Sequence, residues 1–300
     1  DIRSASEYLG RNGFENIYCV AFERAEWRVK NVTNIKSAQD KRVLADTRLR
    51  DISKTTCYIS GATGGVGSTI AHHMAQHGAR LLIHGKSRKK LLELERSLIH
   101  VGAQVESVAC DFLNSNQLKL HCEWLQQFTP SIDFYYLNAG ISLQANLGGL
   151  TEGSIEGWER TYRVNVLAPA ALLKVIHARS AKDISTAKCF LTTSAINKNI
   201  DSQAYACSKA ALDKIVFDAS LEFSKQKELE LCSIDPGWLR TNMGGTNAPA
   251  DVYSVLPGAV FAAHTNHSVA GSMITAQDYS GLTVEQAIRQ AMRNGDLEFH

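Results

Sequence analysis

Thr55-Thr56-Cys57-Tyr58-Ile59-Ser60-Gly61-Ala62-Thr63-Gly64-Gly65-Val66-Gly67 is the stretch that decides the fold. A short apolar and β-branched run, Thr55–Ser60, ends in a turn rich in glycine, and an amphipathic segment, Val66–His77, follows. Glycine is needed where a backbone turns tightly and approaches a phosphate without β-carbons in the way. The helix that begins there adds unpaired N–H groups and a partial positive charge at the same spot. A glycine-rich turn alone is a weak signal. With a strand before it, a helix after it and another strand about twenty residues on, it predicts a nucleotide site formed by Gly61, Thr63, Gly64, Gly65, Val66 and Gly67.

The same rhythm continues outward from this turn. Further strands are predicted at Arg80–His84, Gln104–Ala109, Ile132–Leu137, Ala187–Thr193, Glu230–Ile234 and Ser272–Thr275. Between them fall helices at Arg88–Val101, Ser115–Phe128, Glu156–Arg179, Ser202–Lys225, Val252–His264 and Val284–Met292. Strands alternating with helices specify an α/β fold, a doubly wound parallel sheet of about seven strands with helices on both faces. This domain occupies residues 54–300. Residues 1–53 depart from the pattern: 1–27 read as helix, turn and strand ending at Trp27, and 28–53 as a polar linker.

Composition narrows the function. The 300 residues are 44% hydrophobic and 21% charged, with a formal net charge of +2, which gives no reason to expect a nucleic-acid partner. No apolar run approaches a membrane span, and Asp1-Ile-Arg-Ser-Ala carries no hydrophobic signal region. Seven cysteines are scattered without a CxxC pair, as expected of reduced, buried thiols in a cytoplasmic protein. His72, His73 and His77 offer i,i+4 metal spacing on the first helix, but lacking a carboxylate or thiolate partner they read as surface or packing residues, and no metal is expected.

The cofactor and its chemistry are read from four further places. The second strand ends in Gly85-Lys86-Ser87-Arg88-Lys89-Lys90, where an acid would bind a ribose 2′-hydroxyl. Basic side chains at Lys86 and Arg88, beside Ser87, suit a 2′-phosphate instead, so NADP is expected rather than NAD. Asp111, followed by Phe112, is placed either to accept from the adenine amino group or to initiate a helix. Tyr205-Ala-Cys-Ser-Lys209 puts a phenol and an ammonium one helical turn apart, a spacing that favours the phenolate and lowers a pKa that starts near 10. Such a phenol exchanges a proton with a carbonyl oxygen. Asn165, in Tyr-Arg-Val-Asn-Val, is an awkward mid-helix amide unless it has a functional or backbone-bonding role.

These motifs, with Leu137-Asn138-Ala139-Gly140, Ser194 and Asp235-Pro236-Gly237 followed by Thr241, resemble the short-chain dehydrogenase/reductase family over about residues 54–293. The resemblance implies a Rossmann-type NADP(H)-dependent oxidoreductase that moves a hydride between nicotinamide and a small carbonyl or alcohol substrate. It makes Tyr205 the acid/base, with Lys209 lowering its pKa and binding the nicotinamide ribose. It assigns Ser194, or alternatively Thr193, to the substrate oxygen and Asn165 to a relay water. Asn138, Ala139 and Gly140 would close the cofactor floor, and Pro236, Gly237, Trp238 and Thr241 would surround the nicotinamide end. A homodimer or homotetramer packed through the helices at 156–179 and 202–225 is also implied.

Trp158 and Trp238 flank the expected substrate opening, and segments 142–155 and 242–268 should line it. Arg3-Ser4-Ala5, Tyr8-Leu9, Gly13–Tyr18 and Trp27 resemble the last third of a rhodanese-type sulfurtransferase domain. The cysteine position of that family falls before residue 1, so no sulfurtransferase activity is expected from these residues. Two other functions fit the motifs less fully: a regulatory module that binds NADP(H) without turnover, and the reductase half of a sulfur-handling fusion.

Overall fold

Side chains that alternate along the central strands divide between two apolar layers, and this division sets the architecture. Cys57, Ile59, Leu81, Ile83, Phe134 and Tyr136 enter one layer, while Tyr58, Leu82, Tyr135 and Leu137 enter the other. Strands buried on both faces read as continuous apolar runs, as these do. The computed structural model describes residues 49–143, 154–181, 186–194, 202–223 and 229–297. The strands are β1 (Thr56–Ser60), β2 (Arg80–Gly85), β3 (Val105–Ala109), β4 (Phe134–Leu137), β5 (Ala187–Thr192), β6 (Leu229–Asp235) and β7 (Met273–Thr275). They form one seven-stranded sheet in the order β3-β2-β1-β4-β5-β6-β7, with every pair parallel.

The helices are α1 (Gly65–Gln76), α2 (Arg88–His100), α3 (Ser115–Gln127), α4 (Ile155–Tyr162), α5 (Ala168–Ser180), α6 (Gln203–Phe223) and α7 (Val284–Asn294). Ile70 and Met74 of α1, Leu91 and Leu98 of α2, and Ile288 of α7 pack into the first layer. Leu125 of α3, Leu172 and Ile176 of α5, and Leu212 and Val216 of α6 pack into the second. This is the doubly wound arrangement the alternation predicts. The strand order reverses between β1 and β4, and in open α/β sheets ligands bind beyond the carboxyl ends of the strands at such a switch point. The glycine turn, which joins β1 to α1, lies there.

Local chemistry places the helix ends. Ser87 accepts from the Lys90 N–H, Asn114 accepts from the N–H groups of Asn116 and Gln117, and Thr283 with Gln286 makes a capping box. Asn114, not Asp111, therefore initiates α3. Two helix expectations change. The predicted helix Val252–His264 is two short 3-10 turns, Val252–Val255 and Phe261–His264. Pro257 lies between them, lacks an N–H and excludes its predecessor from the helical region, while Gly258 packs directly against the Ala276 backbone. The predicted single helix Glu156–Arg179 is interrupted by a π-helical turn, Arg163–Leu167.

Behind the sheet, the buried ammonium of Lys188 donates to the carbonyls of Ala262, Thr265 and His267 at 3.1, 2.8 and 2.7 Å. This ties the 261–268 region to β5. The predicted elements of residues 1–48, and the substrate-mouth residues 144–153, lie outside the described residues.

Candidate active site

At the β1–α1 turn the backbone leaves almost no room for side chains. Gly61 has φ +64°, and a Cβ there would stand 2.7 Å from the Ala139 Cα. A Cβ on Gly67 would stand 2.5 Å from the Gly61 carbonyl oxygen and 2.7 Å from Asn138 Nδ2. On Gly65 it would meet Thr241 Cγ2 at 2.6 Å. Gly64 caps α1 with no side-chain hydrogen bond. The turn is thus packed against the β4 end and residue 241, and its helix terminus has no side-chain cap, which suits it to receive an anion.

Asn138 is the knot of this region. Its Nδ2 donates to the Gly61 carbonyl at 3.1 Å, and its Oδ1 accepts from Thr192 Oγ1 at 3.2 Å. Ala139 N–H donates to Ser60 Oγ at 3.1 Å. The ends of β1, β4 and β5 are locked together by these bonds. Thr192 and Ser60 have no distinctive sequence signature; only their position at strand ends reveals them.

The end of β2 holds a group the sequence reading passed over. His84 is buried, stacked on Phe112 with ring centroids 4.1 Å apart. Its Nδ1 accepts from the Gly61 N–H at 3.3 Å and its Nε2 faces the Cys110 carbonyl at 2.9 Å, which fixes the Nε2–H tautomer. Burial pushes its pKa down to about 4, so it stays neutral and keeps the acceptor that Gly61 uses. Phe112 therefore supports the end of β2 through its stack on His84. Lys86 is exposed and lies 3.9 Å from Asp111, while Ser87 and Arg88 begin α2 beside it. Asp111 Oδ1 accepts from the Leu113 N–H at 3.0 Å.

On the other side of the switch point, Lys209 is 2% exposed and donates to the Thr192 carbonyl at 2.8 Å. Its Nζ lies 5.7 Å from the Tyr205 ring centroid. A Cβ on Gly140 would stand 3.3 Å from that Nζ and 3.4 Å from Asn165 Oδ1, so Gly140, Asn165, Tyr205 and Lys209 converge. Asn165 lies in the π-helical turn, where Oδ1 accepts from Ile141 N–H at 2.8 Å and Nδ2 donates to the Ile141 carbonyl at 3.0 Å and Ser208 Oγ at 2.9 Å. The awkward amide is backbone-bonded on both sides. Ser194, at the end of β5, is partly exposed, whereas Thr193 is fully buried.

One electrostatic expectation is reversed. Burial pushes the Tyr205 phenol up to about 12, and the Asp235 charge adds to the rise. Burial brings Lys209 down to about 8, with Asp235 opposing. Desolvation therefore outweighs the one-turn Tyr–Lys spacing in this geometry. Asp235, whose Oδ1 accepts from the Gly237 N–H at 2.9 Å, acts on both groups and joins the site, although only its motif stood out in the sequence.

The segment after β6 packs against the glycine turn through Thr241. Gly237 has φ +78°, and a Cβ there would strike Gln277, whose Nε2 donates to the Pro236 carbonyl at 2.9 Å. Trp238 is 58% exposed, with Nε1 donating to the Gly244 carbonyl at 2.8 Å, and Thr241 Oγ1 accepts from Gly244 N–H at 3.0 Å. Trp158 stacks on Tyr162 within α4, a packing arrangement.

Fold and site together define a nicotinamide-type oxidoreductase framework. The short chain dehydrogenase family profile matches residues 55–251, and the chain belongs to that family, whose members are oxidoreductases that bind nicotinamide cofactors. It is 26% identical over 202 residues to L-xylulose reductase of Caenorhabditis elegans, an alignment covering 66% of this chain and 76% of that one. A short chain dehydrogenase of Shigella flexneri complexed with NADP superposes with a TM-score of 0.68 at 22% identity, covering 76% of this chain and 99% of its own. An NAD+-bound xylitol dehydrogenase does so with a TM-score of 0.58 at 21% identity, covering 63% and 72%. Both structural likenesses speak for the fold. The family match begins at residue 55 and gives no support to the rhodanese resemblance read in residues 1–27, which lie outside the described residues.

Proposed function

We propose that the chain is an NADP(H)-dependent reductase of small carbonyl compounds, with Tyr205 as the proton donor and residues 54–300 as its working domain. The observation that carries this reading is the convergence of Tyr205, Lys209, Asn165 and Gly140 across the switch point from a glycine cradle that a single Cβ would fill. The cradle fits a dinucleotide: Gly61, Gly65 and Gly67 would admit the pyrophosphate, Lys86 and Arg88 the 2′-phosphate, and Pro236, Gly237 and Thr241 the nicotinamide end. When bound, that group supplies or accepts the hydride.

The protein's own residues handle the proton. A phenol held near 12 stays protonated at neutral pH, so Tyr205 is ready to donate to a carbonyl oxygen as charge develops there. Ser194, exposed where Thr193 is enclosed, would hydrogen-bond the same oxygen. Lys209, fixed by the Thr192 carbonyl, offers a cation beside the site, and Asn165 anchors the strand-end backbone at Ile141 from which a relay water would be held. Exposed Leu167 and Leu221, on or beside the two long helices, support a homodimer or homotetramer. The six described cysteines are all free, which supports a cytoplasmic setting, and among the described residues no helix is long and apolar enough to cross a membrane.

Titration of the purified protein with NADPH and NADH, read by nicotinamide fluorescence and followed by a panel of small ketones and aldehydes, tests this. NADPH should bind at least tenfold tighter than NADH, and Arg88→Glu should remove that preference, since a charge-assisted contact is worth roughly 1.5–3 kcal/mol. Binding without turnover on any carbonyl would replace the reductase reading with a regulatory one. Binding of neither nucleotide would refute the glycine-cradle argument itself.

A further inference from the structure

Away from the cleft, α1 carries two histidines that the fold joins to a third from almost two hundred residues downstream. His73, His77 and His264 place one ring nitrogen each within 4.8 Å of one another, the one cluster of three metal-ligating side chains among the described residues. His73 Nε2 and His264 Nε2 stand 2.9 Å apart, and the three ring centroids are separated by 4.3, 5.1 and 4.8 Å. Two metal–imidazole bonds of about 2.0–2.1 Å at the tetrahedral angle separate their nitrogens by roughly 3.4 Å. That spacing falls between the closest pair and the widest separation observed, and exposed His77 is the member free to adjust.

The surroundings fit the same reading. His77 Nδ1 faces the His73 carbonyl at 2.8 Å, which leaves Nε2 as the lone-pair nitrogen. His264 is hydrogen-bonded to the Arg50 backbone, the kind of outer contact that fixes a ligating imidazole's tautomer. The Glu285 carboxylate lies within electrostatic reach of His264 and adds negative potential. His73 also borders an open surface depression beside Leu256, Pro257, Leu282 and Thr283. His72 does not take part; its nitrogens face the Ser68 carbonyl at 2.8 Å and Ser97 Oγ at 3.0 Å.

We propose that His73, His77 and His264 bind one borderline divalent transition-metal ion, zinc(II) foremost, through three imidazole nitrogens. An all-nitrogen set excludes magnesium and calcium, which take oxygen ligands. The ion clamps α1 to the Phe261–His264 turn, and through Arg50 to the chain entering β1. It is remote from Tyr205 in role: it stiffens the helix whose other end forms the glycine turn.

The test is a titration of the tag-free, chelator-stripped, full-length chain with zinc chloride, followed by cobalt(II) substitution read in the visible range. One zinc per chain, a tetrahedral cobalt spectrum and a rise in thermal midpoint of roughly 5–10 °C at a hundredfold excess over Kd are expected. His77→Gln, at an exposed position, should weaken binding at least tenfold and at least halve the thermal shift at the same zinc concentration while leaving the metal-free midpoint unchanged. His264→Gln should do the same to binding. His72→Gln and Cys207→Ser should change neither. Zinc binding that survives His77→Gln, or that disappears with Cys207→Ser, overturns the proposal, as does the absence of any binding in the micromolar range.

Discussion

The two halves of the cleft are built on opposite physical principles. Around β1 and α1 the site consists of absent atoms: Gly61, Gly65 and Gly67 are fixed by what a Cβ would strike, and polar contacts there run to the backbone. Around β5, α6 and β6 it consists of ionisable side chains, half-buried Tyr205 and buried Lys209 and Asp235, each displaced from its ordinary pKa chiefly by loss of solvent. The first half works by shape and the second by desolvation. Shape is a local property of the chain, whereas desolvation depends on everything that closes over a group. That is why the first half obeys its sequence rule and the second departs from its own.

Three substitutions would break or sharpen this contrast. The largest effect belongs to Tyr205→Phe, which should reduce carbonyl turnover by about 10²–10⁴-fold while nucleotide affinity, measured by fluorescence, stays within a factor of two or so. A variant that keeps its turnover would remove the phenol from the chemistry. Next, Gly67→Ala should weaken nucleotide binding by about tenfold to a hundredfold, an overpacking penalty of roughly 1–3 kcal/mol, because its Cβ meets the Gly61 carbonyl and Asn138. Unchanged affinity would mean that the turn relaxes freely and that shape is not its principle. The smallest effect is in the pH profile. Lys209 loses its proton through about pH 8 instead of near its ordinary 10.5, while Tyr205 remains protonated beyond that range. Reductive kcat/KM should therefore fall by roughly tenfold between pH 7 and 9. Lys209→Arg, charged throughout, should flatten that limb; a limb that persists belongs to another group.

Most of the fold was legible because periodicity and burial coincide. Each strand predicted from Thr55 onward is present to within about two residues, since runs such as Leu81-Leu82-Ile83 have no stable alternative to burial on both faces. The segment 252–264 was misread because its apolar residues face the core without helical phase, and Pro257-Gly258 was outweighed by composition. In the site, glycines and the Tyr–Lys pair announce themselves by spacing. His84, Thr192 and Asp235 do not: each matters through a partner that is distant in sequence, respectively Gly61, Lys209 and the Tyr205–Lys209 pair. The third histidine of the α1 cluster is 191 residues from His73 and invisible to any spacing rule.

The π-helical turn at Arg163–Leu167 amounts to one residue more than an α-helix would use over the same rise. Each residue of a helix advances the side chains by about 100°. Loss of a single residue from this turn would restore an unbroken helix through α4 and α5 and swing whatever then stood at position 165 about a third of a revolution away from Ile141 and Ser208. The long helix is thus two segments held deliberately out of phase, and the phase slip is what lets one face serve the apolar layer while a lone amide reaches the end of β4.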